Sequence, residues 1–319
     1  MRLLIYGGGA VGLGLASCLI KAGQEVMILA RPETASQLRQ EGLLRTGVFG
    51  QACADSRRFT VVSALAELPP APFDHILVCT KSFDSEQAAQ DLSAHRERLG
   101  QPQGVVLFQN GWGNTEIFER YLPAGTIYNA SVLTGFTRPA PNRVEVTVHA
   151  QPIRVGSLYS PHVAAVTPLC QAITAGDIPC QAVPGIEKDL WAKMLFNCPL
   201  NPLSAILGVT YGALGASEQS RAIMEQIIRE MFGVIQAGGY ATHWTDAEVY
   251  LAHFFDELIP RTAGHYASTL QDLQAGKRTE IDALNGAIVR LGARAGVAVP
   301  ANEMVYRLVK FLEGKRPPC

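Results

Sequence analysis

A glycine-rich turn near the start of the chain constrains the fold more than any other feature. A short apolar segment at 3–6, typical of a β-strand, leads directly into Gly7-Gly8-Gly9-Ala10-Val11-Gly12. A helix-compatible run continues to Lys21, and a second strand-like segment covers 25–30. Strand, G-x-G-x-x-G, helix and strand in this order are typical of a dinucleotide-binding βαβ unit, whose helix N-terminus accepts a pyrophosphate. The six residues of the turn are therefore candidate cofactor ligands.

The same stretch is compatible with two other interpretations. Arg2 followed by an apolar run resembles a secretory signal peptide, and the glycines could form only a tight structural turn. Three consecutive glycines are unusual in a signal peptide, and the strand pattern that follows continues a folded domain. A bound dinucleotide is the favoured interpretation.

Length and charge limit the possible partners. A chain of 319 residues suggests two domains, and 48% hydrophobic with 17% charged residues is an ordinary globular composition. A formal net charge of −1 gives no basic field for nucleic acid, and no apolar run is long enough to cross a bilayer. We therefore predict neither nucleic acid nor a membrane as partner.

The cysteines and histidines show no metal or disulfide spacing. The seven cysteines are odd in number and never spaced as C-x-x-C, which predicts free thiols in a reducing compartment, by default the cytoplasm. The seven histidines show no H-E-x-x-H motif, so no metal site is expected. The cysteines are Cys18, Cys53, Cys79, Cys170, Cys180, Cys198 and Cys319.

The remaining pattern changes character near Val183-Pro184-Gly185. Before it, apolar runs predict buried parallel strands, and alternation predicts an antiparallel hairpin added to the sheet at 143–156. After it, amphipathic helical patterns dominate. We predict an α/β Rossmann-type dinucleotide-binding domain at 1–184, followed by an all-α C-terminal domain at 185–319. Predicted strands cover 75–79, 104–108 and 127–133, with a hairpin within 42–60; predicted helices cover 33–41, 84–98, 113–121, 186–198, 217–237, 245–257, 262–275 and 280–295.

The sequence also indicates where one helix begins and where the ordered chain ends. Thr245-x-x-Glu248 is typical of a capping box at a helix start. The tail 314–319 is expected to fray.

Polar residues follow two of the predicted strands. Thr80-Lys81 and Gln109-Asn110-Gly111 stand where strands end, and ligands of an open α/β sheet bind at the carboxyl ends of its strands. Asn-Gly alone is more often only a turn. Position rather than residue type makes Lys81 and Asn110 candidates for contacts to the cofactor or the substrate.

Arg31 follows the second strand directly. An acidic residue there usually binds the ribose 2′-hydroxyl of NAD, whereas an arginine suits the 2′-phosphate of NADP and can bind it bidentately. NADPH is therefore preferred, although Glu33 keeps NAD open and Arg31 could be an ordinary surface residue.

A second polar pattern lies on a mostly apolar helix. Lys193, Asn197 and Asn201 are spaced four apart and share one helix face. Burying a lysine and two amides is costly unless they have partners. The amides could also satisfy loose backbone near Pro199, which is expected to bend the segment. For the three residues together a binding or catalytic role is favoured.

The ordered set of these residues resembles the ketopantoate reductases, or 2-dehydropantoate 2-reductases, over most of the chain. The resemblance implies NADPH-dependent reduction of 2-dehydropantoate to pantoate in pantothenate biosynthesis, with an active site in the cleft between the two domains. The set comprises Gly7–Gly12, Arg31, Lys81, Asn110-Gly111, Lys193, Asn197, Asn201, Ser268-x-x-Gln271-Asp272 and Thr279-Glu280-Ile281-Asp282.

The resemblance also implies roles for individual residues. Lys193 would be the general acid that protonates the alkoxide. Glu280, expected in a first helical turn, would orient Lys193 or bind the substrate hydroxyl, and it also lies among the cofactor contacts. Asn197, Asn201 and Ser268 would hold the substrate, Lys81 and Asn110 would line the nicotinamide side with Asn110 also contacting the substrate, and Asp272 would be a structural partner.

One departure leaves the substrate open. The family often has asparagine three residues before the serine, and this chain has His265. An NADP-dependent reductase of another branched 2-oxo acid and a non-catalytic dinucleotide-binding sensor remain alternatives. Cys198 is expected to be a small buried filler rather than a nucleophile. Exposed faces of the helical domain could form a homodimer.

Overall fold

The computed structural model describes residues 1–315. The chain divides into two compact units. The first unit contains Met1–Gln109 and Asn114–Ile186, and the second contains Asn110–Gly113 and the residues from Glu187 onward. The short segment Asn110–Gly113 therefore belongs with residues that are far from it in sequence.

The first unit has two sheets and six helices. Its strands are β1 (Arg2–Tyr6), β2 (Glu25–Leu29), β3 (Leu43–Gly47), β4 (Ala52–Ala54), β5 (Thr60–Val62), β6 (His75–Val78), β7 (Gly104–Leu107), β8 (Ile127–Ser131), β9 (Thr134–Ala140), β10 (Arg143–His149), β11 (Ile153–Gly156) and β12 (Cys180–Ala182). Its helices are α1 (Ala10–Lys21), α2 (Pro32–Glu41), α3 (Ser85–Ala94), α4 (Arg96–Leu99), α5 (Asn114–Phe118) and α6 (Thr167–Ala175).

The larger sheet has eight strands in the order β12-β11-β8-β7-β6-β1-β2-β5. The strands from β8 to β5 pair in parallel, and β11 pairs antiparallel with β8. Strands β6 and β7 are buried at every residue, as expected for parallel strands covered on both faces. Residues such as Leu3, Ile5 and Leu13 have no exposed surface, and each such burial stabilises the fold by roughly 1.5–3 kcal/mol.

The predicted hairpin at 143–156 is wrong. Strand β10 pairs antiparallel with β9 and parallel with β3 in a second sheet, ordered β4-β3-β10-β9, whereas β11 belongs to the larger sheet. Val144 and Val146 of β10 are buried, because this second sheet packs against α1. Alternation predicted the strand but not its partner. The hairpin predicted within 42–60 is present as β3 and β4.

The second unit is helical, with no strand among the described residues from 187 to 315. A π-helical turn, Phe254–Leu258, joins two of its helices. The helices are α7 (Glu187–Leu207), α8 (Tyr211–Ala216), α9 (Glu218–Ala237), α10 (Ala247–His253), α11 (Ile259–Arg261), α12 (Ser268–Gln274), α13 (Asn285–Ala295) and α14 (Pro300–Gly314). The predicted fold class, a Rossmann-type α/β domain followed by an all-α domain, is confirmed.

Several helix boundaries differ from the prediction. Helix α7 continues through Pro199 and Pro202 to Leu207, and α14 was not predicted. The cap of α10 is Asp246, whose carboxylate accepts from the Val249 amide at 2.9 Å, so Thr245 is not the capping residue. Glu280 precedes α13, which begins at Asn285, so the expected first-turn position is wrong.

The described part of the chain also bears on the predicted cysteines and tail. Its six cysteines are all free thiols, and Cys319 lies outside the described residues. Of the tail predicted to fray, Gly314 ends α14 and 316–319 lie outside the description. Within residues 1–315 no helix is long and apolar enough to span a membrane, and no group of three or more metal-binding side chains is present.

Candidate functional site

The glycine turn joins β1 to α1 with little room for side chains. Gly7 has a φ of +116°, and a Cβ there would lie 2.9 Å from the Thr80 nitrogen. A Cβ on Gly12 would lie 2.0 Å from the Gly7 carbonyl oxygen. The conformation and close approach therefore require glycine at both positions.

The start of α1 fits a pyrophosphate. Gly9 occupies its N-cap position with no side-chain cap, and the first turn contains no acidic residue. A Cβ on Gly9 would meet only the Cys79 carbonyl oxygen, at 3.8 Å, so the backbone is open to close approach. Free N–H groups and the positive end of the helix dipole favour an anion at this position.

Polar side chains connect the loops that follow β6 and β7. Gln109 Nε2 donates to Thr80 Oγ1 and to the Lys81 carbonyl oxygen, each at 3.2 Å. These bonds hold Lys81 in the loop that adjoins Gly7. Gln109 was not predicted as a positioning residue, although its place directly after a buried strand was the available signal.

Arg31 occupies the N-cap position of α2, one residue after Ala30. Ala30 in turn packs against the glycine turn, since a Cβ on Gly8 would lie 2.7 Å from the Ala30 Cβ. The exposed Arg31 and Glu33 thus stand beside the glycine turn, at the start of a second helix.

In the second unit, three predicted site residues form one hydrogen-bonded group. Lys193 Nζ donates to Asn110 Oδ1 at 2.5 Å, and Asn110 Nδ2 donates to Glu280 Oε2 at 3.0 Å. Glu280 is only 6% exposed. Because Asn110 accepts from a cation and donates to a carboxylate, both its polar atoms are oriented. We call Asn110, Lys193 and Glu280 the amide-bridged trio.

Burial changes the acidity of Lys193. Loss of hydration lowers the pKa of Lys193 to about 8, while the nearby Glu280 carboxylate opposes the shift. An ammonium group with this pKa remains largely protonated at neutral pH but releases its proton more readily than a solvated lysine. This acidity suits a general acid.

The backbone beside Asn110 is held by the second unit. Gly111 has a φ of +88°, a Cβ there would lie 2.4 Å from the Ala283 carbonyl oxygen, and the Trp112 amide donates to that oxygen at 2.8 Å. The Trp112 ring lies 4.7 Å from that of Trp191 and 5.2 Å from that of Tyr240. Trp112 was missed in the sequence, where an aromatic residue between two glycines was the only signal.

Asn197 and Asn201 follow Lys193 along α7. Asn201 is 4% exposed, and its Oδ1 accepts from the Tyr211 hydroxyl at 2.6 Å. Asn197 is half-buried between Lys193 and Asn201. Tyr211, on α8, was not predicted as a partner. Burial raises the pKa of Cys198, which keeps this thiol protonated and agrees with a filler role.

Ser268 and His265 lie near the start of α12, a helix that packs against α7. Ser268 is the first residue of α12, with an exposed side chain, and Asp272 lies one turn later. The His265 ring lies 5.2 Å from the Tyr211 ring, and desolvation lowers the pKa of His265 below its ordinary value.

Comparisons with known proteins cover nearly the whole chain. The family model "Ketopantoate reductase PanE/ApbA" matches residues 3–159, and its C-terminal counterpart matches 185–313. A 2-dehydropantoate 2-reductase from Aquifex aeolicus is 32% identical over 314 residues, covering 98% of this chain and 97% of the relative.

Solved structures agree with the sequence matches. A PanE/ApbA family ketopantoate reductase from Ralstonia eutropha is similar with a TM-score of 0.85 and 29% identity, covering 99% of both chains. A D-mandelate dehydrogenase solved with NADH and anilino(oxo)acetate has a TM-score of 0.86 and 25% identity, covering 98% of this chain and 99% of its own. These matches confirm the predicted resemblance and the prediction of an oxidoreductase.

Proposed function

Because the chain belongs to the ketopantoate reductase family, we propose that it reduces 2-dehydropantoate to pantoate with NADPH, a step of pantothenate biosynthesis. The observation that carries the proposal is the amide-bridged trio, which presents a lysine of lowered pKa in a half-buried, oriented hydrogen-bonded group. A dinucleotide-binding sensor has no use for such a proton donor.

The first unit supplies the phosphate-binding residues in this proposal. The backbone N–H groups of Gly7–Gly12 bind the pyrophosphate at the start of α1, and Arg31 binds the 2′-phosphate. Lys81, Asn110 and Glu280 bind the nicotinamide and ribose side. When bound, NADPH supplies a hydride to the carbonyl carbon of the substrate. We propose domains at 1–184 for the cofactor and 185–319 for the substrate, and scattered thiols favour the cytoplasm.

Lys193 supplies the proton. Its ammonium stabilises the negative charge that develops on the carbonyl oxygen and then transfers a proton from Nζ to the alkoxide. Asn110 holds Nζ through one N–H, which leaves the other N–H groups for the substrate. The Glu280 carboxylate keeps the ammonium form populated at neutral pH, because it opposes the desolvation of Lys193.

The substrate ligands are Asn197, Asn201 and Ser268. Asn201 Oδ1 already accepts from Tyr211, so its amide N–H groups are oriented away from that bond and can donate to a carboxylate or hydroxyl of the substrate. Ser268 offers an exposed hydroxyl at the start of α12.

A substrate panel tests the reaction. NADPH consumption should be fastest with 2-dehydropantoate and slower with pyruvate and other 2-oxo acids of different branching. Absence of NADPH oxidation with every 2-oxo acid would refute the reductase assignment and favour a sensor.

A second candidate is the reduction of another, aromatic 2-oxo acid. One observation of the structure favours it: the His265 ring, at the position where the resemblance implies an asparagine, lies 5.2 Å from the Tyr211 ring. The similar D-mandelate dehydrogenase was solved with an aromatic ligand and with NADH. Including phenylglyoxylate and both nicotinamides in the panel decides between the candidates through their kcat/KM values.

The cofactor preference has its own test. Arg31→Ala should weaken NADPH binding far more than NADH binding, because only NADPH carries the 2′-phosphate. An equal loss for both cofactors would refute the assigned role of Arg31.

A further inference from the structure

A second arginine reaches the glycine turn from an unexpected part of the first unit. Arg138, on β9 of the four-stranded sheet, donates through Nη1 to the Gly8 carbonyl oxygen at 3.2 Å and to Thr34 Oγ1 at 3.0 Å. Strand β9 packs against α1, which brings a residue far along the chain to the start of the nucleotide-binding motif. Sequence reasoning did not select Arg138.

The position of this charge is unfavourable without a ligand. Gly8 precedes the N-cap of α1, and Thr34 lies in the first turn of α2, whose N-cap is Arg31. Helix N-termini carry partial positive charge and stabilise anions, so an arginine at each of these helix starts adds a repulsion that a bound anion would relieve. Glu33 is the acidic residue in the first turn of α2 and the first turn of α1 has none, so the two helix starts carry one acidic residue against two arginines.

The bonds of Arg138 leave its charge and several donors available. Both of its acceptors are neutral oxygens, so neither bond neutralises the guanidinium. Among the described residues both bonds use Nη1, so the N–H groups on Nη2 and Nε are able to donate to a ligand. The side chain is exposed, whereas Thr34, to which it is anchored, is 6% exposed.

We propose that Arg138 is a second phosphate-binding cation of the cofactor site and sets the preference for NADPH together with Arg31. The ligand it takes is the 2′-phosphate monoester, which carries up to two negative charges and presents several acceptor oxygens to guanidinium groups. This inference rests on the proposed use of NADPH. It adds to that proposal a residue from the second sheet.

Binding titrations of NADPH and NADH with Arg138 variants test the inference. Arg138→Ala removes the charge and both hydrogen bonds, whereas Arg138→Gln removes the charge but keeps an N–H donor for Thr34. Loss of a charged hydrogen-bonding partner should weaken NADPH binding about 10- to 100-fold in both variants. NADH binding should stay within about twofold, because its ribose carries no phosphate at that position.

Arg143→Ala is the matched control. Arg143 is exposed on the neighbouring strand β10 of the same sheet, so the variant removes an equal charge from nearby surface. It should leave both dissociation constants unchanged. Circular dichroism and thermal unfolding establish that all variants are folded before the titrations are compared.

Three results would overturn the inference. An equal loss of affinity for NADPH and NADH would mean that Arg138 stabilises the glycine turn and does not bind the 2′-phosphate. Unchanged NADPH binding in both Arg138 variants would remove it from the site. The same loss in Arg143→Ala would reduce the effect to general surface charge.

Arg31→Ala separates this failure from that of the proposed cofactor. If Arg31→Ala discriminates between NADPH and NADH while the Arg138 variants do not, only the inference about Arg138 fails. If the unaltered protein binds NADH as tightly as NADPH, the proposed NADPH preference fails, and the inference fails with it.

Discussion

The glycine turn and the amide-bridged trio are built in opposite ways. The turn consists of six consecutive residues and acts through backbone N–H groups at the start of one helix. The trio joins side chains that are 83 and 170 positions apart in the sequence. A local motif of glycines can be recognised from the sequence because its function lies in the backbone, whereas the trio exists only because the second unit folds around it.

The glycine turn and the amide-bridged trio also differ in the source of their charge. The charge at the start of α1 comes from peptide dipoles, which do not titrate. The charge of the trio depends on a lysine whose pKa is lowered to about 8 by burial and supported by a neighbouring carboxylate. Phosphate binding by the turn should therefore be insensitive to pH over the range where the trio gains and loses its proton.

The largest expected effect comes from removing Lys193, the proposed proton donor. Lys193→Ala should lower kcat by roughly two or more orders of magnitude, the scale of lost general acid catalysis, while NADPH still binds to the other unit. Steady-state kinetics and a cofactor titration measure the two properties separately. Lys188→Ala removes an exposed lysine from the first turn of the same helix and should change neither. Near-normal kcat in Lys193→Ala would refute its role.

The next largest effect on kcat is expected from a substitution that displaces Asn110 but leaves all three residues of the trio unsubstituted. Gly111→Ala would place a Cβ 2.5 Å from the Ala283 Cβ and 2.4 Å from its carbonyl oxygen, at a φ of +88°. Because Asn110 must shift, kcat should fall roughly 10- to 100-fold with cofactor affinity retained.

Gly276→Ala controls for backbone strain in that experiment. Gly276 has a φ of +63°, and no atom lies within 4 Å of an added Cβ. The substitution therefore introduces backbone strain without a steric clash like that between Gly111→Ala and Ala283. It should lower the melting temperature but leave kcat unchanged. An equal loss of kcat in both variants would show that Gly111 does not act through Asn110.

The pH dependence should distinguish the two regions further. General acid catalysis needs the ammonium form, so kcat/KM for reduction should fall as the pH rises through about 8. Well above that pKa, the decline should approach about tenfold per pH unit. The dissociation constant of NADPH should stay nearly flat over the same range.

Glu280→Gln tests whether Lys193 is the group that controls the fall of kcat/KM at high pH, the falling limb of the pH profile. The carboxylate raises the pKa of Lys193, so its removal should shift the falling limb to lower pH. A limb that stays in place would mean that a group other than Lys193 controls it.

The smallest expected effect concerns Asn201, a proposed substrate ligand. Tyr211→Phe removes the hydroxyl that donates to Asn201, leaving a buried amide oxygen without that donor, at a cost of about 1–3 kcal/mol in the free energy of unfolding. The KM for the 2-oxo acid should rise several-fold, with kcat and NADPH binding little changed. Chemical denaturation and kinetics of the same variant measure both effects. An unchanged KM would remove Asn201 from the substrate site.

The sequence alone predicted those features of this protein that depend on residues close together in the chain. The glycine turn, Arg31 after the second strand, the buried parallel strands and the helical character of the second half all follow from short-range patterns. The four-residue spacing of Lys193, Asn197 and Asn201 likewise predicted one helix and one face of it. These features depend on residues within a few turns or strands of one another.

Other features were decided by contacts between distant residues. Alternation within β10 could not specify a second sheet, because a strand's partner depends on where other strands lie. Pro199 did not end α7, since the packing of that helix outweighs one lost hydrogen bond.

The sequence by itself determined that this protein has a dinucleotide fold and a helical half with a lysine and amides on one face. Only the tertiary structure decided that Asn110 belongs to the second unit and forms hydrogen bonds with Lys193 and Glu280. The hydrogen bond from Arg138 to the glycine turn likewise depends on tertiary packing. The physical reason is range. Backbone conformation and helix periodicity are set by neighbouring residues, whereas hydrogen bonds between distant side chains form only after the segments that carry them have packed together.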